Sequence, residues 1–269
     1  MTSPLLELDH VTKRFGRVVI AEDLSFAVGP GDVVGIVGPN GAGKTSLFGL
    51  ISGDLAPGAG EIRFGGRPVT KLDAAARCRL GVGRTYQVPR PFGDMTVFEN
   101  LLVAAQQGGG LRRRASYAAA VEALERTGIS AQANAPAERL GLLQRKRLEL
   151  ARALATQPSL LLLDEVAGGL TDPEVAQLVE IVRGVNAEGI TVIWIEHVVR
   201  ALTAVVTRLI CLAGGKFVGD GEPAIVLAEP AVREVFLGTE VTAALAGGSL
   251  DASPEVQEDG SVGGERSEP

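Results

Sequence analysis

Aromatic residues and cysteines are scarce in this chain. Phe, Trp and Tyr make up 4% of its 269 residues, and the apolar residues are mostly Ala, Val, Leu and Ile. These residues pack helices and parallel strands rather than forming surfaces on which nucleic-acid bases stack. The two cysteines, Cys78 and Cys211, have no CxxC spacing, which disfavours a disulfide framework or a structural zinc site. We therefore expect an aliphatic core with reduced thiols.

Long apolar runs are also missing. The strongest, at residues 160–163 and 190–195, are far shorter than the roughly 20 residues that a membrane-spanning helix needs. Residues 1–15 lack the basic start and apolar run of a signal peptide. Any membrane role is therefore expected to be peripheral.

An excess of positive charge is absent as well. The formal net charge is −6, from 26 basic and 32 acidic residues. Residues 245–269 hold six acids and one base, a net of −5, so the other 244 residues sum to −1. A near-neutral body disfavours a general nucleic-acid binder. The small, polar and acidic stretch 246–269 is predicted to be disordered.

Strand-like and helix-like segments alternate along most of the chain. Three strand patterns (LLELDHV, GRVVI and DLSFAVG) precede residue 30, and Val33–Val37 is a continuous apolar run typical of a buried parallel strand. Helical patterns lie within residues 88–144. Strand patterns return near 160–166 and 190–197, with helices at Asp172–Ala187 and 198–205. Glycine pairs at 65–66 and 214–215 predict hairpin turns. The alternation predicts an α/β core with a parallel sheet and an all-helical insertion.

A glycine-rich loop after the Val33–Val37 strand carries the clearest chemistry. Eight residues fit the pattern G-x-x-x-x-G-K-[ST], namely Gly38, Pro39, Asn40, Gly41, Ala42, Gly43, Lys44 and Thr45. Glycines let successive N–H groups point inward as an anion nest at the positive end of a helix dipole. In this pattern the lysine reaches the β- and γ-phosphates, and the threonine hydroxyl binds Mg²⁺. The loop predicts nucleotide binding.

Two further strand ends carry acidic and imidazole groups. An apolar strand ends in Asp164 and Glu165, and His197 ends the strand ITVIWIEH. Beside a phosphate loop, Asp164 would orient the Mg²⁺ shell and Glu165 could activate the attacking water. Alone, an acid pair after a strand is often a surface turn, and a single histidine is more often structural. The upstream phosphate loop favours function for the acids, and the strand-end position favours a γ-phosphate sensor for His197.

These motifs, with Gln87 after GVGRTY and the run from Gln144 to Arg147, resemble the ATP-binding-cassette (ABC) family over residues 5–238. The resemblance implies ATP and Mg²⁺ as cofactors. It implies an α/β, P-loop NTPase (RecA-like) core with a mainly parallel sheet, an N-terminal antiparallel β subdomain and an inserted α-helical subdomain. Residues 1–245 would form the ATPase domain, divided into a core (1–87 and 156–245) and a helical subdomain (88–155), with 246–269 as a tail.

The resemblance also implies roles for single residues. Phe15 matches the aromatic that stacks on adenine, although an ordinary core phenylalanine fits the pattern equally well. Gln87 matches a residue that touches Mg²⁺ and hinges the helical subdomain, and Ser46 joins the ATP-binding set. The implied catalytic residues are Lys44, Glu165 and His197, and the implied Mg²⁺ ligands are Thr45, Gln87 and Asp164.

One motif departs from the family pattern. The signature that contacts the partner's ATP normally reads Leu-Ser-x-Gly-Gln, whereas the matching residues here are Leu140, Gly141, Leu142, Leu143 and Gln144. Gly141 lacks the serine hydroxyl that reaches the γ-phosphate of ATP in the opposite subunit, and Leu143 adds bulk. Loss of one hydrogen bond to a charged group weakens such a contact by about 1.5–3 kcal/mol. The basic residues at 145–147 have a solvated helix face as their simple interpretation.

A narrower likeness, carried by RTYQVPRPFGDMTVFENLLVAA, RKRLELARALATQP, DEVAGGLTDPE and VREVFLG, is to the ATPase subunits of branched-chain amino-acid importers. It implies an ATP-hydrolysing subunit at the cytoplasmic face of the cell membrane that energises solute uptake through separate permease subunits. The implied partners are those permeases, a second ABC ATPase subunit in a homo- or heterodimer and, indirectly, an extracytoplasmic solute-binding protein. No nucleic-acid partner is expected.

Other functions stay open. They are import of urea or amides, export of lipid or lipopolysaccharide, and nucleotide-dependent regulation with weak turnover. Regulation is less favoured because binding alone needs no water-activating acid such as Glu165. Residues 89–99 could grip a permease helix through Phe92, Met95 and Phe98, although local core packing explains these apolar groups equally well.

Overall fold

The computed structural model describes residues 3–235, so the predicted acidic tail at 246–269 lies outside the described residues. The strands are β1 Leu6–Phe15, β2 Val18–Val28, β3 Val33–Val37, β4 Ala59–Phe64, β5 Arg67–Pro68, β6 Val82–Arg84, β7 Leu160–Asp164, β8 Thr191–Ile195, β9 Arg208–Ala213 and β10 Lys216–Gly221. The helices are α1 Lys44–Ser52, α2 Ala74–Arg79, α3 Val97–Val103, α4 Arg113–Thr127, α5 Leu142–Ala155, α6 Asp172–Ala187, α7 Val199–Thr203 and α8 Pro223–Ala228.

The N-terminal strands form an antiparallel sheet in the order β2-β1-β4-β5. The predicted break between GRVVI and DLSFAVG is wrong, because both belong to the single strand β2. Asp23, inside β2, has a positive φ of 57°, and the pairing with β1 shifts register several times. Such irregularities bend a strand without ending it, and a sequence pattern reads the bend as a turn. The hairpin predicted at residues 65–66 is confirmed, since Phe64 pairs with Arg67 across it.

The central sheet has the order β10-β9-β3-β8-β7-β6, in which all strands except β10 run parallel. Every residue of β3, β7 and β8 is buried, as their unbroken apolar runs predict. Alternate residues serve two cores. Leu161 and Leu163 face the one that includes α5 and α6, while Leu160 and Leu162 face the one that includes α1 and the antiparallel sheet. The central sheet is therefore the middle layer of the fold.

Helices α3, α4 and α5 follow one another between β6 and β7. Thr96 and Glu99 form a reciprocal capping box at the start of α3, and Gly128 in the left-handed conformation ends α4. The mixed α/β fold class with a helical insertion is confirmed, while the division at residues 88 and 155 stays a prediction. Sequence reasoning missed α2 and the short edge strand β6. None of the helices between residues 3 and 235 combines the length and apolarity that crossing a bilayer requires.

Candidate functional site

The phosphate loop lies between β3 and α1, and its glycines are required by its path. At Gly38 a Cβ would lie 2.0 Å from the carbonyl oxygen of Leu212, and at Gly43 it would lie 2.3 Å from that of Ile20. Gly43, with a φ of 104°, is the N-terminal cap of α1. Only glycine combines this conformation with so close a backbone approach. The loop therefore presents backbone N–H groups at the start of a helix, where phosphate binds well.

Lys44 folds over this loop. Its Nζ donates to the carbonyl oxygens of Gly38 at 2.7 Å and Pro39 at 3.0 Å, and the residue is only 5% exposed. Burial lowers the pKa of Lys44, while the charges of Glu165 and Asp164 oppose that shift. The ammonium thus lies at the mouth of the nest, between the loop and two carboxylates, where it can neutralise phosphate charge.

A cleft of about 510 Å³ opens over the loop. Its lining brings together most of the predicted ATP-binding set with one carboxylate and one new residue: Asn40, Gly41, Ala42, Gly43, Lys44, Thr45, Ser46, Gln87, Glu165 and Ile20. Phe15 does not line the cleft. It lies 54% exposed at the end of β1, with the Lys13 ammonium 5.2 Å from its ring centroid.

Glu165 is the centre of a three-residue contact at the carboxyl edge of the central sheet. Its Oε2 accepts from Gln87 Nε2 at 2.5 Å, and its Oε1 lies 2.6 Å from His197 Nε2. The residues follow β6, β7 and β8, which run parallel as neighbours, so their carboxyl ends meet at one edge. Glu165 has a φ of 47°, which is unusual outside glycine and points to a functional constraint. Glu165 lines the cleft together with the phosphate loop, and His197 reaches it through its contact with Glu165.

Asp164 is buried and only partly satisfied. Its Oδ2 accepts from Arg84 Nη2 at 3.2 Å, while Oδ1 has no hydrogen-bond partner among the described residues. Burial raises the pKa of Asp164, and Arg84 and the nearby Thr45 hydroxyl lower it.

This donor set fits Mg²⁺. A free carboxylate oxygen beside a threonine hydroxyl suits an ion that takes one or two protein oxygens and completes its shell with phosphates and water. Residues 3–235 contain no cluster of three or more His, Cys, Asp and Glu side chains that would form a closed metal cage. Asp164 and Thr45 would hold the ion. The Gln87 amide instead meets Glu165.

The signature residues lie apart from this cleft, at the start of α5. Gly141 is the helix cap and makes no side-chain capping bond, and Leu142 is 48% exposed. Gly141, Leu143 and Gln144 do not line the chain's own cleft. A Cβ at Gly141 would meet the Gln144 Oε1 at 2.9 Å, at the end of a flexible side chain. A serine therefore fits at position 141 after a small shift of Gln144.

Sequence reasoning did not predict three residues that contact Asp164, Glu165 or the loop after Glu165: Arg84, Lys146 and Glu196. Lys146 is buried, so the interpretation of the basic run as a solvated face is wrong at this position. Burial lowers its pKa, against the charges of Glu196, Glu165 and Glu149. A signal existed, because Lys146 lies four residues before Leu150 on the apolar face of α5. Glu196 accepts from the backbone N–H of Ala167 at 2.6 Å and so fixes the loop after Glu165.

Comparison with known proteins agrees with this geometry. A family model described as ABC transporter matches residues 21–168, more than half of the chain. The branched-chain amino acid transport ATP-binding protein LivG of Escherichia coli is 34% identical over 253 residues, covering 88% of this chain and 99% of LivG. The lipopolysaccharide export ATP-binding protein LptB of Acidithiobacillus ferridurans is 33% identical over 238 residues, covering 88% of this chain and 98% of LptB.

A longer relative and a solved structure extend the likeness. The ribose import ATP-binding protein RbsA 1 of Rubrobacter xylanophilus is 38% identical over 218 residues, 80% of this chain, which spans only 44% of that relative. An ATP-binding cassette of an ABC transporter in its ADP conformation superposes with a TM-score of 0.81 at 29% identity, covering 88% of this chain and 100% of the other. The chain belongs to the ABC transporter family, whose ATP-binding cassettes bind and hydrolyse ATP.

Proposed function

We propose that this ABC transporter ATPase subunit energises the uptake of a small solute, a branched-chain amino acid, through separate permease subunits at the cytoplasmic face of the membrane. The nearly full-length similarity to LivG supports this cargo. The similarities to LptB and to RbsA 1 favour other cargoes, lipopolysaccharide and ribose, and keep the substrate open to test. Urea or an amide is a further alternative.

The contact between Glu165, Gln87 and His197 is the observation that carries the catalytic proposal. ATP would place its β- and γ-phosphates in the nest of residues 38–45, against the Lys44 ammonium. Glu165 would accept a proton from the water that attacks the γ-phosphate. His197, which contacts Glu165, would bind the γ-phosphate and keep it aligned with the Glu165 carboxylate. Gln87 donates to Glu165, and we propose that this bond sets the position of the carboxylate and changes when the γ-phosphate binds.

Bound Mg²⁺, held by Asp164 and Thr45, would neutralise charge that develops on the phosphate oxygens. Asp164 is already oriented for this role, because Arg84 occupies one of its oxygens and leaves the other free. Thr85 Oγ1 accepts from the Asp164 backbone N–H at 3.2 Å and fixes the end of β7.

A second ATPase subunit would complete the site. Members of this family dimerise, and the signature of one subunit serves the ATP of the other. This chain has its own phosphate loop and Glu165, but offers Gly141 and Leu143 in place of the usual serine and glycine. We propose a heterodimer in which its own site turns over and its contribution to the partner's site is weak.

A groove between the core and the helical insertion suits a permease segment. The groove has a volume of about 370 Å³, and its lining includes Cys78, Tyr86, Gln107 and Arg152. Phe92 extends this surface, since it is 48% exposed and lies 5.5 Å from the Arg152 guanidinium. Met95 is also exposed, whereas Phe98 packs on Tyr117 with ring centroids 5.5 Å apart. Phe92 and Met95 thus fit a docking role better than Phe98 does.

The catalytic proposal is tested with Lys44→Ala and Glu165→Gln, and with Lys71→Ala as a control at an exposed lysine. Lys44→Ala should weaken ATP binding and abolish turnover. Glu165→Gln should retain Mg-ATP but lower kcat by about 10²–10⁴-fold, the usual contribution of a general base. Wild-type turnover in the Glu165→Gln variant would remove Glu165 from the mechanism.

The cargo is tested by uptake in cells that carry Lys44→Ala in place of the wild-type chain. Labelled leucine, urea and ribose are supplied in separate assays. Loss of leucine uptake alone supports the proposal. Loss of urea or ribose uptake, with leucine uptake intact, assigns the alternative cargo.

A further inference from the structure

Lys146 places a buried positive charge behind the proposed catalytic contact. The residue lies in the second turn of α5 and is 4% exposed. Its Nζ donates to the backbone carbonyl oxygens of Gln87 at 3.1 Å and Glu165 at 3.2 Å. One ammonium thus joins α5 to the two segments whose side chains meet in the cleft.

Among the described residues, no carboxylate forms a direct ion pair with the Lys146 ammonium. Glu196 accepts from the Ala167 N–H, and Glu149 is paired with Arg152 at 2.9 Å. Removing an ammonium from water is unfavourable unless its N–H donors find acceptors. The two carbonyl oxygens therefore account for where Lys146 lies.

The carbonyl of Glu165 belongs to a strained peptide. Glu165 has a φ of 47°, a left-handed conformation that crowds the Cβ of any residue other than glycine. Its N–H donates to the Ile195 carbonyl of β8 at 2.9 Å, and its C=O accepts from Lys146 at 3.2 Å and from the Gly168 N–H at 3.4 Å. With both ends held, the Glu165 side chain is directed at Gln87 and His197.

The segment containing Gln87 is held by the same helix at further points. Arg152 donates to the Arg90 carbonyl at 3.0 Å, and its guanidinium lies 5.5 Å from the ring centroid of Phe92. The segment of Gln87 is therefore bonded to α5 at several points, whereas the Glu165 N–H is bonded to the central sheet. Lys146 is the side chain of α5 that contacts both.

We propose that Lys146 is a positioning residue that sets the Gln87–Glu165 contact and makes it depend on the place of α5. The proposal rests on the catalytic role proposed for Glu165. Because the signature residues begin the same helix, a shift of α5 on dimer closure would reach the carboxylate through this one ammonium.

The test compares the full-length variants Lys146→Met, Lys146→Gln and Lys146→Arg. Methionine removes both donors, glutamine keeps a shorter donor group, and arginine keeps the charge. Arg147→Met is the matched control, because Arg147 is the next residue of α5 and donates to Gly128 and Gln177, away from the cleft. Readouts are kcat, nucleotide affinity, thermal unfolding and hydrogen exchange of the peptides that cover residues 85–92 and 165–168.

Lys146→Met should lower kcat by about 10–100-fold, the effect of losing hydrogen bonds to a charged group. ATP affinity should change by less than about threefold, because the phosphate loop is untouched. Lys146→Gln should show an intermediate loss and Lys146→Arg a partial recovery. Hydrogen exchange should rise in both peptides in Lys146→Met but not in Arg147→Met. If Lys146→Met fails to fold, the kcat and the hydrogen exchange of Lys146→Gln test the proposal instead.

Two results would overturn the proposal. One is wild-type kcat with unchanged exchange in Lys146→Met or Lys146→Gln. The other is an equal effect in Arg147→Met, which would make the role one of helix packing alone. The proposed function fails separately, if Glu165→Gln turns over like the wild type.

Discussion

Replacing Gly43 by alanine should damage the phosphate loop in two additive ways. The first is backbone strain, because Gly43 has a φ of 104° that a residue with a Cβ adopts at a cost of about 1–3 kcal/mol. The second is overlap, because the new Cβ would lie 2.3 Å from the Ile20 carbonyl oxygen. That oxygen is backbone and cannot rotate away. Overpacking of this kind costs about 1–3 kcal/mol.

Gly41→Ala separates the two effects within the same loop. Gly41 also has a positive φ, 79°, but no atom lies within 4 Å of the position that an added Cβ would take. It should lose only the strain term. We therefore expect Gly43→Ala to lower the free energy of unfolding by about 4 kcal/mol and Gly41→Ala by about 2 kcal/mol, taking the middle of each range.

Urea unfolding of both variants, followed by circular dichroism, measures this difference. The comparison holds when the free energy of unfolding has the same dependence on urea concentration in both variants. The rise in melting temperature on adding Mg-ATP measures what remains of the nucleotide site, and it should fall further in Gly43→Ala because α1 begins there. Equal destabilisation of the two variants would refute the overlap argument, and a larger loss in Gly41→Ala would refute the geometry of the loop.

Three other substitutions, the first with a control, test two supports of the site and the asymmetry proposed for the dimer. Arg84→Met should lower the free energy of unfolding in urea by about 3–5 kcal/mol, because it leaves the buried Asp164 carboxylate without its ion-pair partner. The control Arg63→Met removes an exposed ion pair and should lower it by at most about 1 kcal/mol. Burial raises the pKa of Glu196 above its ordinary 4.5, so the carboxyl stays protonated to a higher pH in the folded state than in the unfolded state. The stability advantage of wild type over Glu196→Gln should therefore be greatest below pH 4.5 and shrink as pH rises through the raised pKa; a constant difference would contradict this. Gly141→Ser should raise or preserve turnover measured with the partner subunit, and loss of activity would count against the asymmetric dimer.

The parts of the fold with strict local patterns could be predicted from the sequence. The run Val33–Val37 and the helix Asp172–Ala187 have the predicted bounds, because continuous apolar residues and a capped amphipathic period leave little choice. The short edge strand β6 could not be found this way. It has three residues and gains its order from pairing with β7, which a local pattern does not contain.

The site divides along the same line. The nest at residues 38–45 is contiguous, so its spacing alone predicts its chemistry. Asp164 ends the buried strand β7, and Glu165 and His197 follow β7 and β8, which are parallel neighbours whose ends meet at one edge. Arg84 and Lys146 act across 80 and 19 residues of sequence, on Asp164 and on the Glu165 carbonyl. Such contacts depend on how separate layers pack, which residue type and period do not determine.

Helix α5 links the departure in the signature to the chemistry of the cleft. Its cap Gly141 and its second residue Leu143 differ from the family pattern, and its second turn contacts the backbone of Gln87 and Glu165 through Lys146. Those two contacts, at 3.1 and 3.2 Å, are already near the long end of ordinary hydrogen bonds, so a shift of roughly 0.5 Å would break one of them. If α5 shifts on dimer closure as proposed, a signature that binds the partner's phosphate weakly would shift α5 less, and the Gln87–Glu165 contact of this chain would respond less to the opposite nucleotide.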